Sequence, residues 1–270
     1  MRLVLWAPFF LAGCVAPRSP EDPSEWFDTG SLDSVEEPLR FTEENYNYDG
    51  NIARLNSRVF PVPDGITVFG SNDLFENNSA CDAQADTDLP MQIEGIVTIL
   101  PRLYMKSDGC GGNGDEKYYG NFFIQDQSGA TFVLGDTKTN HFVAGNKVSL
   151  LVRAARTVYD FNEVYSWDLV SVDRTVYPIY YETKFGPVDT GDLYKVMRVT
   201  GDVTTLPDTF GSFTVEADDG SDYAVQLDVD LNRRGYSYPV GTRMQVTGPI
   251  LFSYSTYSIA VMSVGQITVL

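Results

Sequence analysis

Short runs in which apolar and polar residues alternate dominate the chain from Met91 onward. Val148, Leu150 and Val152 occupy every second position of one such run. A two-residue period places side chains on one face of a β-strand, and Gly and Asp-Gly turns separate the runs. No helical period is sustained, so the pattern predicts an all-β body. Strands are expected near residues 92–100, 121–126, 131–135, 147–156, 163–172, 195–204, 211–217, 222–229, 242–252 and 257–264.

The predicted strands fall into two similar copies. Three pairs of segments correspond: Ile93–Thr98 with Val199–Thr204, Asn121–Gly129 with Gly211–Gly220, and Phe142–Val148 with Tyr238–Met244. Each copy holds five strands in about 80 residues, which is the size of a small closed or partly open barrel. The repeat therefore predicts two tandem five-stranded barrels, with one continuous sandwich as the alternative.

The motif of the first copy resembles that of a known class of domain. It reads apolar-x-Gly-x-Val-Thr, then Phe-Ile-Gln-Asp-x-Ser-Gly, then Gly-x-Lys-Val, and it resembles the OB-fold domains of secreted and lipid-anchored bacterial proteins. The second copy departs from it by carrying Val215–Ala217 where the first has Ile124–Asp126. The resemblance implies OB-like domains at 91–177 and 193–270, joined by a linker at 178–192.

The N-terminal residues resemble an export signal. Arg2 is followed by the apolar run Leu3–Leu11, which is far shorter than the roughly 20 residues of a membrane-spanning helix. Leu11–Cys14 resembles the lipobox of bacterial lipoproteins, which implies a signal peptide at 1–13, an acylated Cys14 and attachment to a membrane through lipid. Val15, rather than an Asp, after the cysteine favours the outer membrane. An ordinary signal peptide with an incidental cysteine is the alternative.

The stretch that follows is rich in proline and in Asp and Glu. Residues 14–50 show little apolar periodicity, and their charges repel one another, so they are expected to form a disordered acidic tether. Residues 51–90 mix a possible edge strand with Asn- and Asp-rich loops, and we expect them to pack irregularly on the first barrel.

Two cysteines remain after Cys14. In an oxidising compartment Cys81 and Cys110 are most simply interpreted as one disulfide, with two free thiols as the alternative.

Charge bears on the class of partner. The chain has 19 Lys and Arg against 37 Asp and Glu, a net charge of -18, so it lacks the positive field on which unspecific phosphate binding depends. Nucleic acid is therefore a disfavoured partner. Most of the acidic excess lies before residue 91, so this argument is weaker for the first barrel.

Aromatic and basic residues of the first copy supply a candidate ligand site. OB domains bind single strands by stacking bases on aromatic rings within a basic groove. The candidate residues are Tyr118, Tyr119, Phe123, Arg153 and Arg156. The alternative is that these rings serve strand packing.

A glycine-rich loop offers oxygen ligands of the kind that Ca²⁺ takes. Its candidate ligands are Asp108, Asn113, Asp115 and Glu116, but their spacing matches no known calcium repeat. A loop pinned by a disulfide is the alternative, and no cofactor is indicated.

Catalytic constellations are sparse. His141 is the single histidine, and the two Asp-Thr-Gly sequences at Asp28 and Asp189 lie in the predicted tether and linker, where an aspartic-protease dyad would not be buried. We therefore expect no enzyme. The sequence predicts a lipid-anchored envelope protein whose barrels bind or scaffold an envelope protein or glycan. The alternative is an OB-fold binder of single-stranded nucleic acid or oligosaccharide.

Overall fold

The computed structural model describes residues 39–45, 50–60, 89–99, 106–108, 117–119, 122–133, 143–158, 161–253 and 256–270. Strands dominate these residues. The strands are β1 (Phe41–Thr42), β2 (Met91–Val97), β3 (Lys106–Asp108), β4 (Lys117–Tyr119), β5 (Phe122–Gln125), β6 (Ala130–Val133), β7 (Lys147–Val158), β8 (Phe161–Asp173), β9 (Ile179–Tyr180), β10 (Glu182–Thr183), β11 (Val196–Val203), β12 (Ser212–Ala217), β13 (Asp222–Leu227), β14 (Arg243–Ser253), β15 (Thr256–Val261) and β16 (Ile267–Val269). The helices are α1 (Ile52–Asn56) and α2 (Val229–Arg233), with 3-10 turns at Thr190–Asp192 and Val264–Gln266.

Strands β2, β5, β6, β7 and β8 form the first barrel. They close in the order β2-β5-β6-β8-β7, and β7 returns to pair with β2. The β6–β8 pairing is parallel and the others are antiparallel. Alternate side chains such as Ile93, Ile124 and Leu150 point inward and are fully buried.

Strands β11 to β15 form the second barrel with the same connectivity. Their order is β11-β12-β13-β15-β14, and β14 pairs with β11 to close it. Again only the third and fifth strands pair in parallel, here β13 with β15. Strands β10 and β16 add to β11 and β14. The fold class expected from the alternation and the repeat, two tandem five-stranded OB-like barrels, is confirmed.

The glycine shared by the two copies has one structural role. A Cβ on Gly95 would lie 3.1 Å from the Gln125 carbonyl oxygen, and one on Gly201 would lie 2.1 Å from that of Glu216. The first strand therefore passes close to the second in each barrel: the approach leaves no room for a Cβ at Gly201 and makes a tight contact for one at Gly95. The repeated glycine marks this crossing.

Helix α1 covers the first barrel with a buried face. Ile52 and Leu55 have no exposed surface and belong to the core of that barrel. Asp126, itself buried, holds the entry to the helix because its carboxylate accepts the backbone N–H of Gly50 at 2.7 Å. The other carboxylate oxygen accepts the N–H groups of Ser128 and Gly129. One side chain thus fixes both the β5–β6 turn and the segment that leads into α1.

The two barrels meet at a packed junction within one compact unit, 38–270. The ring of Tyr194 stacks on Phe123 at 5.3 Å and on Phe132 at 5.6 Å between ring centroids. These three side chains belong to the same buried cluster as the core of the second barrel. Tyr194 has φ 65°, a left-handed conformation that bulky residues rarely adopt, and the buried ring holds it there.

A buried glutamine adds directional bonds to the junction. The Gln125 side-chain oxygen accepts the Val196 N–H at 2.9 Å, and its amide donates to the Tyr180 carbonyl at 3.3 Å. The range 178–192, expected to be a linker, contains β9, β10 and a 3-10 turn, and Ile179 is buried. The first barrel, the connecting segment and the second barrel are therefore packed together rather than joined by a free linker.

The N-terminal side of the described chain also packs on this junction. β1 pairs in parallel with β9, so part of the range expected to be tether is a strand. The Arg198 guanidinium lies 3.6 Å from the centroid of the Tyr181 ring and donates to its hydroxyl. That hydroxyl donates in turn to Glu43 at 3.0 Å. A cation-π contact in a half-buried setting thus connects β1 to β11.

Candidate binding surface

The second and third strands of an OB fold, with the loops beside them, are the usual ligand face of such barrels. In the first barrel this face is covered. Phe123 and Phe132 point outward from β5 and β6, yet they are 4% and 2% exposed because Tyr194 packs on them. The first barrel uses this face to hold the second barrel.

The corresponding face of the second barrel is open but is not aromatic. Its outward residues alternate with buried ones and are partly or fully exposed: Ser212, Thr214 and Glu216 on β12, and Asp222, Ala224 and Gln226 on β13. Arg243 joins this acidic side by pairing with Asp218 at 2.7 Å. The strand face itself offers no ring on which a planar ligand could stack.

Exposed apolar side chains lie instead on two loops of the second barrel. We call this region the loop surface; it comprises Leu206 and Phe210 from the β11–β12 loop, and Arg233, Arg234, Tyr236 and Val240 from the α2–β14 segment. Phe210 is 78% exposed, and Leu206 and Val240 are about equally exposed at 60% and 61%. Large apolar side chains gathered in this way mark interaction sites more often than scattered ones do.

Two hydrogen bonds, one between backbone groups and one from a side-chain amide, link the α2–β14 segment to the end of β11 and the β11–β12 loop. The Gly241 N–H donates to the Val203 carbonyl at 2.8 Å, and the Asn232 amide donates to the Thr209 carbonyl at 3.0 Å. Both loops therefore leave the barrel at the same end.

The turn that carries Phe210 is held by side chains. Asp208 accepts the N–H groups of Phe210 and Ser212, and the Phe210 carbonyl accepts a bond from the Gln226 amide at 2.7 Å. Gly211 has φ 86° and lies against Asn232, so that a Cβ at position 211 would be 3.0 Å from the Asn232 Cβ. The exposure of Phe210 thus comes from an ordered turn, because both of its backbone polar groups are bonded.

The charges of the loop surface are unbalanced. Arg233 and Arg234 are exposed, and among the described residues no ion pair to either guanidinium is found. Burial raises the pKa of the neighbouring Tyr238 phenol above its ordinary value, so this ring is neutral at physiological pH. The loop surface combines hydrocarbon with two cations.

The structure disperses the residues that were expected to form a site on the first barrel. Phe123 lies inside the junction, so its faces are taken by Phe132 and Tyr194. Arg153 is exposed and pairs with Asp168 at 2.7 Å, whereas Arg156 pairs with Glu163 and is mostly buried. The two arginines hold strands β7 and β8 together, and the ring they were expected to flank is not on the surface.

Other expected site residues are only partly covered by the description. Tyr118 and Tyr119 lie on β4 and pair with Ser107 and Lys106 of β3, and Asp108 ends β3. The remaining candidates lie outside the described residues: Cys14, Cys81, Cys110, Asn113, Asp115, Glu116 and His141.

The described residues also bear on metal binding and on membrane spanning. They contain no group of three or more His, Cys, Asp or Glu placed to hold a metal ion. No helix among them is both long enough and apolar enough to cross a bilayer. Asp189, from one Asp-Thr-Gly sequence, caps the 3-10 turn by accepting the Gly191 N–H at 2.7 Å.

Sequence reasoning missed Leu206, Phe210, Tyr236 and Val240. Phe210 and Leu206 lie in the turn-forming segment Thr205–Gly211 rather than in an alternating run. An apolar residue in a turn, where no strand buries it, was the available signal.

The connectivity of both barrels defines the class of fold as OB-like, and matches to solved structures were found at low identity. No protein-family model matches the sequence, and no curated protein matches it. The tetrameric p202 HIN2 structure has 9% identity and a TM-score of 0.31, covering 67% of this chain and 92% of that one. The Ifi202 HINa domain in complex with 20-bp double-stranded DNA has 9% identity and a TM-score of 0.31, with 67% and 95% covered. The Cpx pathway activator NlpE from Escherichia coli has 15% identity and a TM-score of 0.22, with 67% and 96% covered.

The expectation that nucleic acid is a disfavoured partner is contradicted: the solved structures found include the Ifi202 HINa domain and a murine DNA-binding protein, each bound to double-stranded DNA. That expectation used the net charge of the whole chain, although most of the acidic excess lies before residue 91. Arg233 and Arg234, which are exposed on the loop surface, do not stand out in a net charge taken over the whole chain. Nucleic acid is therefore among the ligands to be tested.

Proposed function

We propose that this chain is a lipid-anchored binding module of the bacterial envelope, held at the outer membrane through Cys14, and that it performs no catalysis. In this proposal the first barrel is the support and the second barrel presents the loop surface. The observation that carries the proposal is the contrast between the ligand face of the first barrel, which is covered by Tyr194, and the loop surface, where Phe210 is 78% exposed on an ordered turn.

Keeping the Phe210 ring exposed forgoes the stability that its burial would contribute to the fold. An apolar ring kept in water gains nothing from the fold, whereas burying a Phe side chain contributes about 1.5 to 3 kcal/mol. Three apolar side chains exposed on bonded turns are therefore better explained by a partner that covers them than by folding.

Site-specific photo-crosslinking tests the binding surface. We would replace Phe210 with benzoylphenylalanine in the full chain, irradiate intact bacterial cells, and analyse the adducts. Phe185 is the matched control because it is also an exposed phenylalanine, at 74%, but lies on the segment after β10. We expect an adduct from position 210 that is several times stronger than that from 185. Equal labelling at both positions, or none at 210, would refute the proposal.

The lipid anchor has its own test. Detergent phase partitioning of the native chain and of Cys14→Ser should place the first in the detergent phase and the second in the aqueous phase. The same distribution for both proteins would remove the anchor from the proposal and leave the binding surface to be judged by the crosslinking.

A second candidate function is the binding of single-stranded nucleic acid. It is favoured by the presence of two arginines, Arg233 and Arg234, beside the exposed ring of Phe210, since stacking and phosphate contacts act together in such sites. Fluorescence anisotropy with a labelled single-stranded oligonucleotide would show affinity that falls steeply with salt. Affinity that Arg233→Ala and Arg234→Ala leave unchanged would exclude this surface as its site.

A further inference from the structure

The loop surface has a composition that narrows its partner. Leu206 and Val240 are both more than half exposed, and neither has a ring on which a base or a sugar could stack. Phe210 and the partly exposed Tyr236 add aromatic area of the kind found at membrane interfaces. The apolar part of the surface thus suits hydrocarbon better than a stack of planar groups.

The cations of the loop surface lie beside this apolar part. Arg233 ends helix α2, and Arg234 and Tyr236 follow within three residues. Asp208, a carboxylate of the β11–β12 loop, accepts the Phe210 and Ser212 N–H groups. Neither guanidinium has an ion pair among the described residues, so both can pair with an anion on an approaching partner.

The loop backbone can present these groups without refolding. Turn bonds at Asp208 and Gln226 hold Phe210, and the Gly241 turn, with φ 84° and a bond to Val203, holds Val240. Because these turns are already ordered, little backbone conformational entropy is lost when their side chains enter an apolar layer.

We propose that the loop surface inserts its apolar side chains into the headgroup region of an anionic phospholipid bilayer, with Arg233 and Arg234 on the lipid phosphates. This inference rests on the proposed function, since it names the partner of the same surface. Interfacial binding of this kind depends on buried apolar area together with attraction to anionic lipid. Each basic residue near an anionic surface contributes about fivefold to the partition coefficient.

Vesicle sedimentation tests the proposal. The full chain carrying Cys14→Ser would be mixed with vesicles of phosphatidylcholine alone, or of phosphatidylcholine with phosphatidylglycerol, and the bound fraction measured. Every variant shares this background, so differences between variants report on the substituted loop rather than on the N-terminus. We expect binding to the anionic vesicles that exceeds binding to the neutral ones.

Two double variants and their controls separate the parts of the surface. Leu206→Ser with Phe210→Ser should lower the partition coefficient about tenfold or more, while Leu169→Ser with Val170→Ser, an exposed apolar pair on β8, should leave it unchanged. Arg233→Ala with Arg234→Ala should lower binding to anionic vesicles by about twenty-five-fold and leave binding to neutral ones unchanged. Arg40→Ala with Arg54→Ala is the matched control for charge, because both residues are exposed elsewhere and neither has an ion pair among the described residues.

The outcomes distinguish this inference from the proposed function. Vesicle binding that is equal for the loop variants and their controls would overturn the lipid proposal. If an oligonucleotide binds the loop surface and vesicles do not, the partner is nucleic acid and the lipid proposal fails. A strong photo-adduct at position 210 without vesicle binding would leave the binding module standing and reject only the lipid. Absence of both the photo-adduct at position 210 and vesicle binding would reject the binding module and the lipid proposal.

Discussion

The two barrels share a backbone plan but use the same positions differently. Ile124 faces Val97 in the first barrel as Val215 faces Val203 in the second, so Phe123 corresponds to Thr214. The same register matches Phe132 with Ala224, and Gln125 with Glu216. The outward residues are large or amide-bearing where the face is covered, and small or acidic where it is open.

The turns before the fourth strands show the same contrast. Gly145 and Gly241 both have positive φ, 92° and 84°, and their N–H groups donate to the carbonyls of Val97 and Val203. The residue before each glycine is Ala144, 3% exposed at the junction, and Val240, 61% exposed on the loop surface.

The two barrels therefore differ in role, although they share one fold. The first barrel has this face filled by Tyr194, which belongs to the core cluster of the second barrel, and the two barrels form a single unit. In the second barrel, the turn residues Phe210 and Val240 remain exposed. The departure of Val215–Ala217 from Ile124–Asp126 follows, because Gln125 and Asp126 hold the junction and α1, and the second barrel has neither partner to hold.

The largest effect is expected for Tyr194→Ala. The substitution removes a ring stacked on Phe123 and Phe132, and truncation of a buried aromatic costs about 3 to 5 kcal/mol. Denaturant unfolding followed by tryptophan fluorescence would measure it. Tyr236→Ala, on the loop surface, is the control and should change the free energy of unfolding by less than about 0.5 kcal/mol. Similar losses for both would mean that the junction is not a major source of stability.

The crossing glycines offer the next comparison. A Cβ on Gly201 would lie 2.1 Å from a backbone oxygen, whereas one on Gly95 would lie 3.1 Å away. Gly201→Ala should therefore destabilise by about 3 kcal/mol and Gly95→Ala by about 1 kcal/mol, within the range seen for overpacking. Thermal unfolding of the two variants checks the order. The reverse order would show that the first strands approach their neighbours differently from this description.

A smaller effect is expected at the matched pair Gln125 and Glu216. Gln125→Ala leaves the buried Val196 N–H without its acceptor, which costs about 1 to 3 kcal/mol. Glu216→Ala alters an exposed side chain at the equivalent place and should be nearly neutral. Chemical denaturation of both variants makes the comparison. Equal stability of the two would remove the directional role assigned to Gln125.

The last effect appears only at alkaline pH. Burial raises the pKa of Tyr194 well above its ordinary value, so the folded chain holds the phenol proton more tightly than the unfolded chain does. The corresponding stability is complete below pH about 10 and is lost as pH rises from there toward the folded-state pKa. Urea unfolding across this range should show a shallower decline for Tyr194→Phe than for the native chain. Parallel declines would mean that the hydroxyl ionises with little coupling to folding.

Local sequence was enough to predict the barrels. Strand alternation, the repeated Gly95 and Gly201, and the turn glycines Gly145 and Gly241 each express a constraint of the chain within one copy. Such constraints leave a period or a required residue in the sequence. For this reason the strand pattern and the fold class were predictable.

Contacts between copies could not be predicted in the same way. Phe123 has the alternation of a strand whether its outward face meets water or Tyr194, so the sequence suggested a stacking platform where the structure has a core. Linker residues were expected from the spacing of the copies, although Ile179 and Tyr181 are buried. Exposed loop residues such as Phe210 carry no period, and only the fold places them beside Arg233.

The pairing of β1 with β9 has a mechanical consequence. Phe41 and Thr42 lie in parallel register with Ile179 and Tyr180, so a pull applied at residue 39 meets this pairing before it reaches α1 or either barrel. Glu43 passes part of this load to Tyr181 and on to Arg198 in the second barrel. Force would therefore be shared by both barrels through shear of side-by-side bonds, instead of peeling the first strand from the first barrel alone.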